Sequence, residues 1–194
     1  MKLNNINVGF GVTGSFCNFS KLDTIVGELL ENGVKNIYPI VTPIVLTDEN
    51  RFSKPQEIKE HLEKLTGKEL IDTISKAEPI GPKDMVDIVI VAPCTGNTLA
   101  KIANGITDTP VLMAVKSHLR NNKPVVIGIS TNDGLGANAE NLGKLMNTKN
   151  IFFVPFGQDD PIKKPKSLVC DYTKIVDTAV EALKGIQIQP VLNK

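Results

Sequence analysis

Short runs of apolar residues alternate along this chain with stretches in which apolar residues recur every three or four positions. The runs are rich in Val and Ile and predict strands, most clearly at residues 86–91, whose pattern is typical of a strand buried on both faces of a parallel sheet. Strands are predicted at residues 6–10, 37–41, 86–91, 125–129 and 151–154. Pro39 argues against a central position for the second strand, because proline has no amide hydrogen to donate to a neighbouring strand.

The spacing of three to four residues predicts amphipathic helices between these strands. The helices are predicted around residues 22–30, 58–65, 99–103, 111–119 and 176–183. Pro55 suits the first turn of the second helix and Gly67 suits its end. Leu70, Ile71 and Ile74 predict a further short helix, whereas residues 42–53 and the segment after residue 154 are predicted to be polar loops.

The alternation of strands and helices predicts an α/β fold. With no repeat and no linker, we expect a single domain over residues 1–194, in which a doubly wound, mainly parallel, Rossmann-like sheet forms the middle of three layers. In such sheets ligands bind beyond the carboxyl ends of the strands. Three polar loops begin at these ends, near Gly11, Ala92 and Ser130.

Charge and cysteine content narrow the possible partners. The 194 residues include 22 Lys and Arg and 21 Asp and Glu, so we expect neither nucleic acid nor an anionic membrane as a partner. No apolar run reaches the length of a membrane span. Cys17, Cys94 and Cys170 are too far apart for a zinc motif or a disulfide framework, which indicates a reducing, cytoplasmic setting and no metal site.

The first loop carries a glycine pattern that suits a phosphate. Residues 9–14 (GFGVTG) match Gly-x-Gly-x-x-Gly between a strand and a helix, where backbone amides can hold an anion. A dinucleotide site also needs an acidic residue about 20 positions on, but the second strand ends at Thr42. We therefore expect a terminal monophosphate rather than an adenosine ribose; the alternative is that the glycines only form a tight turn. The candidate residues are Gly11, Thr13, Gly14, Ser15 and Thr42.

The second loop and the helix after it carry a long motif. Residues 92–108 (APCTGNTLAKIANGITD) resemble the APxSANTxAKIAxGIxD segment of the FMN-binding flavoprotein superfamily, which includes phosphopantothenoylcysteine decarboxylase and flavin prenyltransferase. The resemblance implies a flavoprotein fold, FMN as the cofactor and a flavin ring beside this loop. The implied ring-binding residues are Pro93, Cys94, Thr95 and Asn97.

The third loop lies where that superfamily has a second motif. There, a PxMNxxMW segment follows the next strand, and its Asn binds a substrate carboxylate. Asn132 falls at this position, but Ser130 and Thr131 replace the usual Ala-Met and no Trp follows. The resemblance implies that Ser130 and Thr131 contact the cofactor, that Asn132 contacts the substrate, and that Asn97 and Asn132 are the catalytic residues.

Several further segments resemble one branch of this superfamily, the dipicolinate synthase B-subunit family. They lie at residues 11–15, 78–83, 119–126, 129–136 and 156–165, so that the likeness extends over essentially the whole chain. The resemblance implies an oxidoreductase subunit that works with the nicotinamide-binding A-subunit of dipicolinate synthase to make dipicolinate from dihydrodipicolinate in the mother cell of a sporulating bacterium. It also implies a homo-oligomer, either a trimer or a dodecamer.

Charged residues outside these motifs suggest further contacts. Lys163 and Lys164 follow the last predicted strand, where related flavoproteins carry a mobile substrate clamp, and their ammonium groups suit a dicarboxylate. A solvated charged loop is the alternative. Arg51 and Phe52 are candidates for contacts with the phosphate and the ring edge, or for a surface turn.

Two other functions remain open on this fold. A flavin-dependent decarboxylase or prenyltransferase is disfavoured, because the decarboxylases carry a histidine before the strand that leads into the second loop and this chain has none there. We interpret its two histidines, His61 and His118, as solvent-facing helix residues, and Cys94 as a small buried residue rather than a nucleophile. A non-catalytic subunit that activates the A-subunit is the other alternative.

Overall fold

The computed structural model describes residues 2–49 and 54–193, and these residues form an α/β fold around one seven-stranded sheet. Arg51 and Phe52 lie outside the described residues. The strands are β1 (Asn7–Val12), β2 (Asn36–Val41), β3 (Ile88–Cys94), β4 (Val125–Thr131), β5 (Ile151–Phe153), β6 (Phe156–Asp160) and β7 (Lys164–Cys170). The helices are α1 (Leu22–Glu31), α2 (Pro43–Thr47), α3 (Pro55–Thr66), α4 (Ile74–Ala77), α5 (Gly96–Ala103), α6 (Pro110–Arg120), α7 (Ala139–Met146) and α8 (Ile175–Leu183), and short 3-10 helices cover Phe16–Lys21, Glu78–Ile80 and Tyr172–Lys174.

The predicted parallel core is confirmed. The strand order is β2-β1-β3-β4-β7-β6, and β5 also pairs with β4. β1 to β5 pair with one another in parallel. β3 is buried along its whole length, which is why its sequence has no alternating polar residues.

Helices cover both faces of the sheet and complete the predicted three layers. α8 packs on β3, β4 and β5 and also contacts α1, whereas α6 packs on β1 to β4 and contacts α5. Gly11 is part of this packing, since a Cβ atom there would come within 3.1 Å of Val111 Cγ1 on α6. The lack of a side chain at Gly11 therefore allows α6 to approach the sheet. Gly11 lies inside β1 rather than in the loop after it.

The β2 edge explains Pro39 and corrects one predicted helix. β2 is the edge strand, as the proline suggested. The Ile71 amide donates to the Pro39 carbonyl at 2.9 Å, and the Val41 amide donates to the Ile71 carbonyl at 3.1 Å. The prediction of a helix from Leu70 was therefore wrong: this segment is extended against β2, and α4 begins only at Ile74.

Two predicted loops contain regular structure. The segment after residue 154 is an antiparallel hairpin of β6 and β7, and β7 also pairs with β4. The first half of β7 is exposed and contains Lys164, Pro165 and Lys166, so its composition concealed a strand. In the predicted loop of residues 42–53, α2 begins at Pro43, a favoured first position of a helix.

Polar side chains at the amino ends of the strands bond to the main chain. His118 is only 1% exposed and lies 3.2 Å, Nε2 to oxygen, from the Asp87 carbonyl. Asn121 donates to the Gly81 carbonyl at 3.0 Å, and Lys123 donates to the Val86 carbonyl at 3.0 Å. The interpretation of His118 as solvent-facing was therefore wrong, whereas His61 is exposed.

Candidate functional site

Two adjoining cavities lie at the carboxyl ends of the parallel strands, where the three polar loops were predicted. The first has a volume of about 510 Å³ and extends from the loop after β1 to α2, α5 and α6. The second has a volume of about 660 Å³ and extends from the same loop to β7 and the loop after β4. Gly14 and Thr95 belong to both, so a ligand in one cavity borders a ligand in the other.

The first cavity combines hydroxyl groups with apolar walls. Ile44 and Leu112 provide the apolar surface, and Thr42 stands at the end of β2. The Thr42 side chain is 5% exposed, and its Oγ1 has no hydrogen-bond partner in the part of the chain that the structure describes. A buried hydroxyl group without a partner is unfavourable, so this atom suits a ligand oxygen.

A buried threonine fixes the two loops that meet between the cavities. Thr13 Oγ1 donates to the Pro93 carbonyl at 2.7 Å and accepts from the Thr95 amide at 3.0 Å. Neither cavity is lined by Gly11, Thr13, Pro93 or Cys94, all of which the sequence suggested for the cofactor. Thr13 acts on the site through the position of Thr95.

Cys94 ends β3 and is fully buried. Burial raises the pKa of its thiol to about 12, because a thiolate loses its hydration there. The thiol is therefore neutral near pH 7, in line with the expectation that Cys94 is no nucleophile.

The structure separates the two candidate catalytic asparagines. Asn97 lies in the first turn of α5 and lines the first cavity, whereas Asn132 follows β4 and lines the second. Both side chains are exposed. The two amides thus lie in neighbouring cavities rather than in one shared cavity.

Polar contacts concentrate in the second cavity. Ser15 Oγ and Ser130 Oγ lie 2.8 Å apart, and Asn18 Nδ2 donates to them at 3.0 and 2.8 Å. Ser15 and Ser130 were predicted from the loops, but Asn18 was not, because its 3-10 helix gave no periodic signal. Thr131 lines the same cavity.

The β6–β7 hairpin places one of the two predicted lysines at this cavity. Lys164 lines it and forms an ion pair with Asp159 at 2.6 Å. The Asp159 carboxylate raises the pKa of Lys164. Lys163 is exposed outside both cavities, and its amide donates to Asp160 in the hairpin turn.

Besides Asp159, which lines the second cavity, two further acidic residues at the cavities were not predicted. Asp108 pairs with Lys101 at 2.7 Å on the wall of the first cavity. Asp133 accepts a hydrogen bond from Thr131 beside the second. Both residues stand in the segments that carried the resemblance, but nothing in the order of residues indicates these pairs.

Neither a metal cluster nor a membrane helix is found in the part of the chain that the structure describes. No group of three His, Cys, Asp or Glu side chains among residues 2–49 and 54–193 is placed to hold a metal ion. Within the same ranges, no helix has both the length and the apolar character needed to cross a bilayer.

Comparison with known proteins identifies the family. The Flavoprotein family model matches residues 1–185. The B-subunit of dipicolinate synthase from Bacillus subtilis (strain 168) is 50% identical over 185 residues, which are 95% of this chain and 92% of that protein. The crystal structure of the corresponding B-subunit from Bacillus halodurans is 46% identical and superimposes with a TM-score of 0.91, covering 100% of this chain and 99% of the other.

A more distant structure shares the fold. The FMN-dependent cysteine decarboxylase SpaF is 20% identical and superimposes with a TM-score of 0.69 over 94% of this chain and 99% of that chain. This similarity confirms the Rossmann-like flavoprotein architecture. The chain therefore belongs to the flavoprotein family and, within it, to the family of dipicolinate synthase B-subunits.

Proposed function

We propose that this chain binds FMN and acts with an A-subunit in a dipicolinate synthase that converts dihydrodipicolinate to dipicolinate, in the cytoplasm of the mother cell of a sporulating bacterium. The observation that carries the proposal is the pair of adjoining cavities. One offers, between apolar walls, a buried hydroxyl group that has no partner among the described residues, and the other offers amide and ammonium donors. A flavin and a dianionic substrate need such neighbouring sites.

The residues of the first cavity fit FMN. Its phosphate would lie against Gly14 and Thr42 of the first cavity and against Ser15 at the border of the second, and Thr42 Oγ1 would gain the partner that it lacks among the described residues. Its ring would lie beside Thr95 and Asn97, with Ile44 and Leu112 as apolar walls. When bound, FMN supplies an acceptor for two electrons and a proton.

The residues of the second cavity fit a dicarboxylate. The Asn132 amide and the Lys164 ammonium group donate to carboxylate oxygens, and the hydroxyl group of Ser130 adds a further polar contact. Oxidation of the dihydropyridine produces an aromatic ring. The main task of these residues is therefore to neutralise the carboxylates and hold the ring carbon in place beside the first cavity.

A substitution of Thr42 tests the cofactor site. Thr42→Val keeps the shape of the side chain and removes its hydroxyl group. We expect FMN to bind about tenfold more weakly, because one hydrogen bond to a charged phosphate is lost. The unfolding temperature without FMN should stay the same or rise, since the hydroxyl group has no partner among the described residues.

The measurement is an FMN titration followed by absorbance and fluorescence, with thermal unfolding of the same samples. Thr24→Val, an exposed threonine on α1, serves as the control. A wild-type protein that binds no FMN at micromolar concentration contradicts the cofactor assignment. A colourless protein that still supports full synthase activity with its A-subunit indicates the non-catalytic, activating role instead.

We also propose that the chain forms a homo-oligomer, as a trimer or a dodecamer. Light scattering coupled to size-exclusion chromatography measures the mass of the particle and separates these two states from a monomer. A monomer at micromolar concentration contradicts this part of the proposal.

A further inference from the structure

Asp133 uses both carboxylate oxygens inside the loop that connects β4 to α7. Thr131 Oγ1 donates to Asp133 Oδ1 at 2.5 Å, and Asn138 Nδ2 donates to Asp133 Oδ2 at 2.8 Å. The Asp133 carbonyl accepts from the amides of Gly136 and Asn138 at 2.8 and 3.2 Å. One residue thus holds residues 131–138 together through its side chain and its main chain.

The bond between Thr131 and Asp133 spans Asn132. The two bonded side chains belong to the residues immediately before and after Asn132, so the main chain of Asn132 is held from both sides. Asn132 itself is exposed and lines the second cavity. The bond therefore limits the positions from which the Asn132 amide can approach a ligand.

The same cluster supports the start of α5. A Cβ atom on Gly96 would lie 2.5 Å from Thr131 Oγ1, 2.6 Å from Asn138 Nδ2 and 2.7 Å from Asp133 Oδ1. Only a residue without a side chain fits at this distance. The cluster is thus packed against the helix that carries Asn97, which gives the loop a rigid base.

We infer that Asp133 is a positioning residue that holds Asn132 in place for a substrate carboxylate. The inference rests on the proposed function of the second cavity. Asp133 does not contact the ligand; it acts through Thr131, Asn138 and the loop main chain. The negative charge of Asp133 beside the cavity repels a dianion. If Asp133 acted only through its charge, its removal would strengthen the binding of a dianion, whereas loss of a positioning residue weakens that binding.

The test compares three variants. Asp133→Ala removes both bonds and one negative charge. The double variant Asp133→Asn with Asn138→Asp exchanges donor and acceptor, so it retains the bonds to Thr131 and Asn141 and the net charge. Glu140→Ala, in the first turn of α7, removes the same charge from an exposed residue and is the matched control.

Two readouts separate positioning from a general loss of structure. Calorimetric titration with dipicolinate should show about tenfold weaker binding for Asp133→Ala, because a displaced donor loses most of its contribution, whereas titration with FMN should be unchanged. Hydrogen exchange of residues 131–138 in the ligand-free protein should be at least about tenfold faster. The double variant should restore both properties, and Glu140→Ala should change neither.

Asp133→Ala that binds dipicolinate as tightly as the wild type, or more tightly, overturns the inference. Loss of FMN binding together with dipicolinate binding also overturns it, because Asp133 would then support the whole site. If the wild type binds no dipicolinate, the proposed function of the second cavity fails, and hydrogen exchange still decides whether Asp133 holds the loop.

Discussion

The two ends of the parallel strands use their polar side chains differently. At the amino ends, His118, Asn121 and Lys123 bond to main-chain carbonyls of residues 81–87. At the carboxyl ends, the exposed amides of Asn97 and Asn132 donate to no other atom of the described residues. Completed hydrogen bonds stabilise the fold, whereas available donors serve a ligand. Under the proposed function, this difference separates residues that stabilise the fold from residues that bind a ligand.

The largest expected effect is a dependence of stability on pH that comes from the amino ends of the strands. Burial lowers the pKa of His118 to about 4 from its usual value near 6.5. As the pH falls below about 6.5, His118 becomes protonated in the unfolded chain, whereas in the folded chain it stays neutral down to about pH 4. The free energy of unfolding should therefore decrease by about 3 kcal/mol across this window.

Urea unfolding between pH 7 and pH 4 measures this decrease. His118→Gln should remove the contribution, because glutamine does not titrate. His61→Gln, which changes an exposed histidine on α3, should leave it in place. If the wild type and His118→Gln lose stability in parallel, His118 is not the group that makes the amino end sensitive to acid.

Two asparagine substitutions, one at each end of the strands, should separate an effect on ligand binding from an effect on stability. Asn132→Ala should weaken dipicolinate binding about 10- to 100-fold, since it removes a donor to a charged carboxylate, and should not change unfolding. Asn121→Ala should lower the free energy of unfolding by about 1 kcal/mol, because the Gly81 carbonyl loses one of its two donors and keeps the Asp84 amide at 3.2 Å, and should not change binding. Calorimetric titration and urea unfolding of both variants measure the two effects, and the same effect in both variants would contradict the comparison.

The smallest expected effect lies at the entrance of the second cavity. Lys164 and Asp159 form an exposed ion pair there, and such pairs contribute little to stability. Lys164→Met should slow the association of dipicolinate about threefold and Asp159→Asn should accelerate it, with both effects smaller at high salt.

Stopped-flow association at low and high NaCl measures these rates. Lys184→Met, which breaks another exposed pair with Glu181 on α8, is the control and should leave them unchanged. Equal changes in the two hairpin variants would show that the pair acts through hairpin structure and not through charge.

The fold was predictable where the sequence of a segment directly reflects how the folded protein buries it. Residues 86–91 are apolar because both faces of β3 are covered, so burial is visible directly in the sequence. β6 and β7 were missed because half of β7 is solvated and polar. His118 was misinterpreted from its neighbours Lys116 and Arg120, although Ala114, one helical turn earlier, already marked the buried face.

The site was predictable only to the level of loops. The glycine pattern indicated the loop after β1 and the resemblance indicated the loops after β3 and β4, and all three border the cavities. The division of Asn97 and Asn132 between two cavities depends on the direction in which each loop leaves the sheet. The bonds of Asp133 depend on side chains brought together by folding, which residue order does not reveal.

Main-chain contacts at one position of β2 and one position of β6 limit where another strand can join this sheet. At one end, residue 71 covers β2 beside Pro39. At the other, the amide of Phe156 on β6 donates to the Val191 carbonyl at 3.0 Å, and the Asn193 amide donates to the Phe156 carbonyl at 2.8 Å. Unpaired sheet edges are a common route to uncontrolled aggregation. Because Pro39, Val41 and Phe156 already have main-chain partners, another copy of the chain cannot extend the sheet by pairing at these positions.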